Sequence, residues 1–221
     1  MTSPGMTEQM IATPYGEGRL VTRRARKPVT TLLLSHGAGN GIDTPDLEAL
    51  TKALPAQGIT VVRFEQPWRV AGKPVATPPK SLDVALTEAA NWMRVRTPMV
   101  VGGRSAGARS AARTARALGA AGCLCLAFPL HPPGKPEKSR LDELRGAKVP
   151  TLVIQGERDP MGRPEEFPST VEVTPVPGAD HSFRVGARGP INQEDALAIL
   201  VESTLEWMVR EVVGAAGRGR G

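Results

Sequence analysis

Residues 99–111 read MVVGGRSAGARSA, and the reading of Ser105 within them decides the fold. Strand-forming residues, Met99 to Val101, run into a pair of glycines. An alanine-rich stretch of helix-forming composition follows, out to Leu118. Ser105 therefore sits at a strand-to-helix junction, with Gly103 and Gly107 two places to either side. One reading is a small polar cap on the helix. The other is a side chain held out on a sharp turn whose flanks have no room for a Cβ. The rest of the chain decides between them.

Upstream, TTLLLSH (30–36) is a continuous apolar run that ends in glycines, the pattern of a strand buried on both faces of a parallel sheet. Thr44-Pro45-Asp46 opens a helix with a capping hydroxyl, a proline in the first turn and an acid near the positive end of the dipole. Leu47, Leu50 and Leu54 form its inward stripe, and Gly58 ends it. ITVVRF (59–64) is the next strand, and four prolines between 65 and 80 mark a loop. Ser81 is placed to cap a second helix that carries Leu82, Ala85, Leu86, Ala89 and Met93 on one face.

Downstream, the pattern predicts a helix over 106–118, a strand over 122–127 and a proline-rich loop, FPLHPPGKPEK, over 128–138. A helical turn at 141–144 and strands at 151–155 and 170–176 follow. The chain closes with an amphipathic helix over 193–213, its Leu197, Leu200, Val201, Thr204 and Met208 facing inward. Strands alternating with helices at this rhythm predict a single α/β domain over 29–213, with a mostly parallel, doubly wound sheet and helices on both faces. Before it lies an irregular segment, 1–28, with an edge strand as its only candidate element. After it a disordered tail is expected over 214–221. The loops are too short for a large lid.

Composition narrows the function. Hydrophobic residues make up 40% of the 221, and no apolar run approaches the roughly 20 residues of a membrane span. The start, MTSPGMTEQM, has neither the basic nor the apolar region of a signal peptide, which predicts a cytoplasmic protein. Cys123 and Cys125 are one residue apart in an apolar run, a spacing that strains a disulfide within a strand, so buried free thiols are expected. With 3 histidines and no zinc-type spacing, neither a metal nor an organic cofactor is expected. The net charge of +6 comes from dispersed basic residues, and aromatics are only 4% of the chain, too few for a base-stacking surface. That charge reads as a solvated surface, with neither nucleic acid nor membrane as a partner. The sequence leaves the oligomeric state open.

Doubly wound sheets bind ligands beyond the carboxyl ends of their strands. The polar residues expected there are His36, Glu65, Ser105, His131, Asp159 and His181, which include a serine, an acid and a histidine in that chain order. Gly103-Arg104-Ser105-Ala106-Gly107 matches G-x-S-x-G in the strand-to-helix context that a nucleophile elbow requires. Asp159, in QGERDP, can accept an imidazole proton and orient the ring; Glu157 is a rival in the same loop, closer to the strand. His181, in PGADHSF, can take the serine proton. Small residues in HGAGNG (36–41) let backbone N–H groups approach a substrate oxygen, and Ala38 and Ala106 are the candidate oxyanion donors. A phosphate-binding reading of that loop is weaker, because it lacks the Gly-Lys-Ser/Thr ending of a P-loop. His36, Arg104 and His131 are candidate substrate-binding residues, with solvated surface charge as the competing reading.

Six segments carry a resemblance: LSHGAGNGIDTP (34–45), VRFEQPW (62–68), GGRSAGARSA (102–111), FPLHPPGKPEK (128–138), LVIQGERDPMG (152–162) and PGADHSF (177–183). Together they resemble the α/β-hydrolase superfamily, and within it the small, lidless, dienelactone-hydrolase-like branch that includes a testis-expressed protein and a subunit of the NSL complex. The resemblance implies the α/β-hydrolase fold, Ser105 as nucleophile, Asp159 as remote acid, His181 as base and the HGAG loop at the oxyanion. It departs at the elbow, where relatives often have lysine or arginine and then methionine: Arg104 keeps the first, and Ala106 stands in place of the second. The expected activity is that of a serine hydrolase cleaving an ester, thioester or related acyl bond in a small molecule, with acyl transfer served by the same residues. The alternative is a non-catalytic scaffold or binding protein that keeps the fold.

Overall fold

The computed structural model describes residues 5–214. Its strands are β1 (Met6–Thr13), β2 (Gly16–Arg23), β3 (Thr30–Ser35), β4 (Ile59–Glu65), β5 (Met99–Arg104), β6 (Gly122–Leu126), β7 (Thr151–Gly156) and β8 (Glu172–Val176). All eight join one sheet in the order β1-β2-β4-β3-β5-β6-β7-β8. From β4 to β8 every pairing is parallel, while β1 and β2 run antiparallel to their neighbours. The helices are α1 (Pro45–Ala53), α2 (Pro67–Val70), α3 (Pro79–Met93), α4 (Ala106–Thr114), α5 (Leu141–Arg145) and α6 (Gln193–Met208).

Strand side chains alternate between faces, and two cores follow from that alternation. Leu33, Val101, Cys123 and Val153 face one core, closed by Ala85, Leu86 and Ala89 of α3 and Ala108, Ala111 and Ala112 of α4. Leu32, Leu34, Val100, Leu124 and Ile154 face the other, closed by Leu47 and Leu50 of α1 and by Leu200, Trp207 and Met208 of α6. Cys123 and Cys125 are buried free thiols on one face of β6. The chain leaves β3 first toward β4 and then crosses to β5 on the other side, so strand order reverses at β3. Such a reversal opens a crevice at the carboxyl ends of β3 and β5.

Four expectations are corrected. Within 1–28, the described residues form a regular hairpin that extends the sheet by two strands, joined by a turn in which the Thr13 hydroxyl donates to Gly16 O (2.7 Å) and Gly16 takes φ 112°. Its apolar signal is faint because Ile11 of β1 and Leu20 and Val21 of β2 are its only buried side chains of any size. The loop over 65–80 contains the short helix α2, and α3 begins at Pro79, ahead of Ser81, since proline suits a first helical turn. The buried stripe of α6 runs through Ala196, Leu200, Thr204, Trp207 and Met208, leaving Leu197 and Val201 half-buried, and the helix ends in a π-turn, Val209–Val213. The predicted tail lies outside the described residues apart from Gly214.

Candidate active site

Ser105 occupies the turn between β5 and α4 with φ 53° and ψ −112°, and its side chain makes no capping bond to the helix. A left-handed φ is unfavourable for a residue with a Cβ, so the surrounding backbone must impose it. The glycines show how. A Cβ at Gly103 would stand 2.5 Å from Ser35 O and 2.6 Å from the carbonyl carbon of Gly107, and one at Gly107 would collide with the Ser35 carbonyl. These are backbone atoms of the central strand β3 and of the elbow itself, so nothing can move aside. The helix-cap reading of Ser105 falls.

His181 Nε2 stands 2.9 Å from Ser105 Oγ, and His181 Nδ1 stands 2.7 Å from Asp159 Oδ2. With Nδ1–H donating to the carboxylate, Nε2 presents its lone pair to the serine hydroxyl. Asp159 is fully buried beyond the end of β7 and is held by two further donors. Gln155 Nε2 donates to Oδ2 at 2.8 Å, and Met161 N–H donates to Oδ1 at 2.8 Å. Glu157, the rival acid, turns away and accepts from Gly178 N–H at 2.9 Å. Serine, histidine and aspartate from three separated loops thus form one continuous hydrogen-bonded chain.

The family profile described as "Alpha/beta hydrolase domain" matches residues 28–209. The chain belongs to the α/β-hydrolase family. Solved structures agree on the fold. An α/β serine hydrolase homologue from Coxiella burnetii superposes with a TM-score of 0.71 at 19% identity, covering 89% of this chain and 96% of that one. An α/β serine hydrolase without a lid, from Xanthomonas campestris, gives 0.70 at 21% identity, covering 94% and 97%. A dienelactone hydrolase from Anabaena variabilis gives 0.69 at 17% identity, covering 94% and 99%.

On this α/β-hydrolase frame the loop after β3 lies against the elbow. A Cβ on Gly37 would be 3.3 Å from Ser105 Cβ and 3.2 Å from Arg104 Nη1, so glycine is what lets the loop approach. Ala38 follows on the exposed side of that loop. Ala106 is the first residue of α4, where a backbone N–H has no acceptor within the helix. A cleft of about 720 Å³ lies next to this region rather than over the serine itself, with Asn40, Glu65, Arg69, Arg104 and Ser182 in its wall and neither Ser105 nor His181 lining it. Among the described residues, no group of three His, Cys, Asp or Glu side chains is placed to hold a metal ion. No helix among them is long and apolar enough to cross a membrane.

The three expected substrate-binding side chains all make contacts within the protein. His36 is buried; its Nδ1 pairs with Gly37 O at 2.7 Å and its Nε2 accepts from Gln66 N–H at 3.0 Å. Burial lowers its pKa, which keeps the ring neutral as those bonds require. His131 is buried between two acceptors, Pro132 O and Glu166 Oε2, each at 2.9 Å. Its hydrogen bond to the Pro132 carbonyl, with the Glu166 carboxylate assisting against desolvation, raises its pKa. Arg104 reaches the cleft wall, but its side chain is only 5% exposed and its donors face the protein.

Several residues went unread in the sequence. Asp46 looks like a first-turn acid that complements the α1 dipole, yet it is buried with Oδ2 3.1 Å from Arg104 Nε. The two are in charge contact without the alignment of a hydrogen bond. Gln155 reads as the polar end of a buried strand, and its burial there was the available signal. Gly37 was read only as part of a glycine-rich loop.

Proposed function

We propose that the chain is a serine hydrolase that cleaves an ester, thioester or related acyl bond of a small molecule through an acyl-enzyme on Ser105. The observation that carries the reading is the hydrogen-bonded chain from Ser105 through His181 to Asp159, mounted on a left-handed elbow. As Ser105 Oγ attacks the acyl carbon, His181 Nε2 takes its proton, and buried Asp159 stabilises the imidazolium that forms. The backbone N–H groups of Ala38 and Ala106 receive the negative charge on the carbonyl oxygen. His181 then returns the proton to the departing alcohol or thiol, and a water molecule activated by the same nitrogen releases the acid. A site without a lid suits short or exposed acyl groups, and a cytoplasmic setting fits the reading.

A fluorophosphonate probe tests this directly. The wild type is expected to be labelled covalently, and Ser105→Ala to lose both the label and the hydrolysis of a p-nitrophenyl ester series. A folded wild type that takes no label would defeat the proposal in favour of a scaffold that keeps the fold.

A further inference from the structure

Arg104 stands immediately before Ser105, and its guanidinium reaches the His181 loop, the start of α1 and the loop after β3. Nη2 donates to His181 O and to Ser182 Oγ, each at 3.1 Å. A Cβ on Gly37 would stand 3.2 Å from Nη1, so this nitrogen lies beside the loop after β3. Nε faces Asp46 Oδ2 at the start of α1, at 3.1 Å. Both side chains are nearly inaccessible, 5% exposed for Arg104 and 2% for Asp46. A buried guanidinium without a counter-charge is strongly unfavourable, so Asp46 is what allows an arginine to sit there.

We infer that Arg104, neutralised by Asp46, is a positioning residue that fixes the His181 loop and the Gly37 loop relative to Ser105. The inference deepens the serine-hydrolase reading and rests on it. Asp159 alone orients the imidazole about one nitrogen, but it cannot set the height of the ring above the elbow. The bond from Arg104 to the backbone carbonyl of His181 does that, since it ties the histidine to the residue next to the nucleophile. Lysine cannot replace it in full, because a single ammonium lacks the fork that faces a carboxylate and a carbonyl together. A hydrolase bearing methionine at 104 would keep its triad in sequence and lose its registration in space.

The experiment separates positioning from folding. Removing one member of a buried ion pair endangers the fold, whereas replacing both by apolar residues of similar volume is frequently tolerated. The double variant R104M/D46L is therefore compared with wild type by urea unfolding, by the rate of fluorophosphonate labelling, and by the low-field proton resonance of the His181–Asp159 hydrogen bond. The expected result is a folded protein labelled about 100-fold more slowly, the scale of loss from a small misplacement of reacting groups, with the low-field resonance gone. R104K, which keeps the charge, is expected to fall between the two. A folded double variant with wild-type labelling and an intact resonance overturns the inference. Should the double variant fail to fold, R104K labelled at the wild-type rate overturns it instead. If wild type takes no label, the hydrolase reading fails separately, and the resonance in the variants still decides whether Arg104 holds His181.

Discussion

The two oxygens of Asp159 have different duties. Oδ1 accepts from Met161 N–H, while Oδ2 accepts from both Gln155 Nε2 and His181 Nδ1. In Asp159→Asn the Met161 N–H keeps an oxygen at the first position, so the new amide nitrogen must face two donors. Gln155 cannot turn over to accept it without losing its bonds to Phe128 O and Gly162 O. His181 is then driven to the tautomer with its proton on Nε2 and can no longer act as a base. Turnover of a p-nitrophenyl ester by D159N should fall by about four orders of magnitude, with a lowered thermal midpoint from the buried donor-to-donor contact with Gln155. A loss below tenfold in steady-state kinetics would refute the tautomer argument. At this scale Ser105, Asp159 and His181 were legible, because an elbow leaves a local pattern and each partner falls just past a strand. Asp46 was not legible as the partner of Arg104, since nothing near either residue in the chain records a contact made only in the folded protein.

Elements were most legible where the local pattern had one interpretation. The apolar run of β3 and the alanine face of α4 admit no other, and both formed, although α4 ends at Thr114 rather than Leu118. The loop that carries His131 was opaque, because proline-rich segments show no periodicity. In the structure it is clipped to the acid loop: His131 N–H donates to Met161 O at 3.0 Å, and the ring meets Glu166, which also accepts from Arg163 N–H at 2.8 Å. The clip has a pH signature. His131 has a pKa raised above its ordinary 6.5, so its contribution is complete below that value and is lost as pH rises through the raised one. Glu166, held low first by the Arg163 N–H and then by His131, contributes above the ordinary carboxylate range and loses that contribution as pH falls through its lowered value. His131→Gln should therefore lower the urea midpoint more at pH 6 than at pH 8. An equal loss at both would show that the charge on His131 contributes nothing. The hydrogen bond to Pro132 would then account for the whole effect.

Across the whole molecule, the sheet is closed at one margin by the N-terminal hairpin and at the other by β8. Pro175 in β8 has no N–H to offer a further strand, a common way of blunting an edge. The hairpin buries Ile11 and Leu20 against Phe64 in one core, and Arg19 holds Glu65 at the cleft wall through contacts of 2.9 Å. Removing residues 1–24 should cost about 3–6 kcal/mol, the burial of two large aliphatic side chains, and should expose the edge of β4 to aggregation. Urea unfolding beside light scattering checks this, and an unchanged midpoint would contradict it. The parallel body of the sheet was legible from the alternation of elements, whereas the hairpin was hidden by its small share of apolar residues.

The left-handed backbone at Ser105 has a consequence for how such a chain evolves. Glycine adopts that conformation freely, whereas a residue with a Cβ is held there at roughly 1–3 kcal/mol. Selection for folding alone would drift toward glycine at 105, and a lineage relieved of chemistry would gain robustness by the exchange. A serine in that place sacrifices some tolerance of mutation across the rest of the chain, a sacrifice that the proposed chemistry of the hydroxyl would offset.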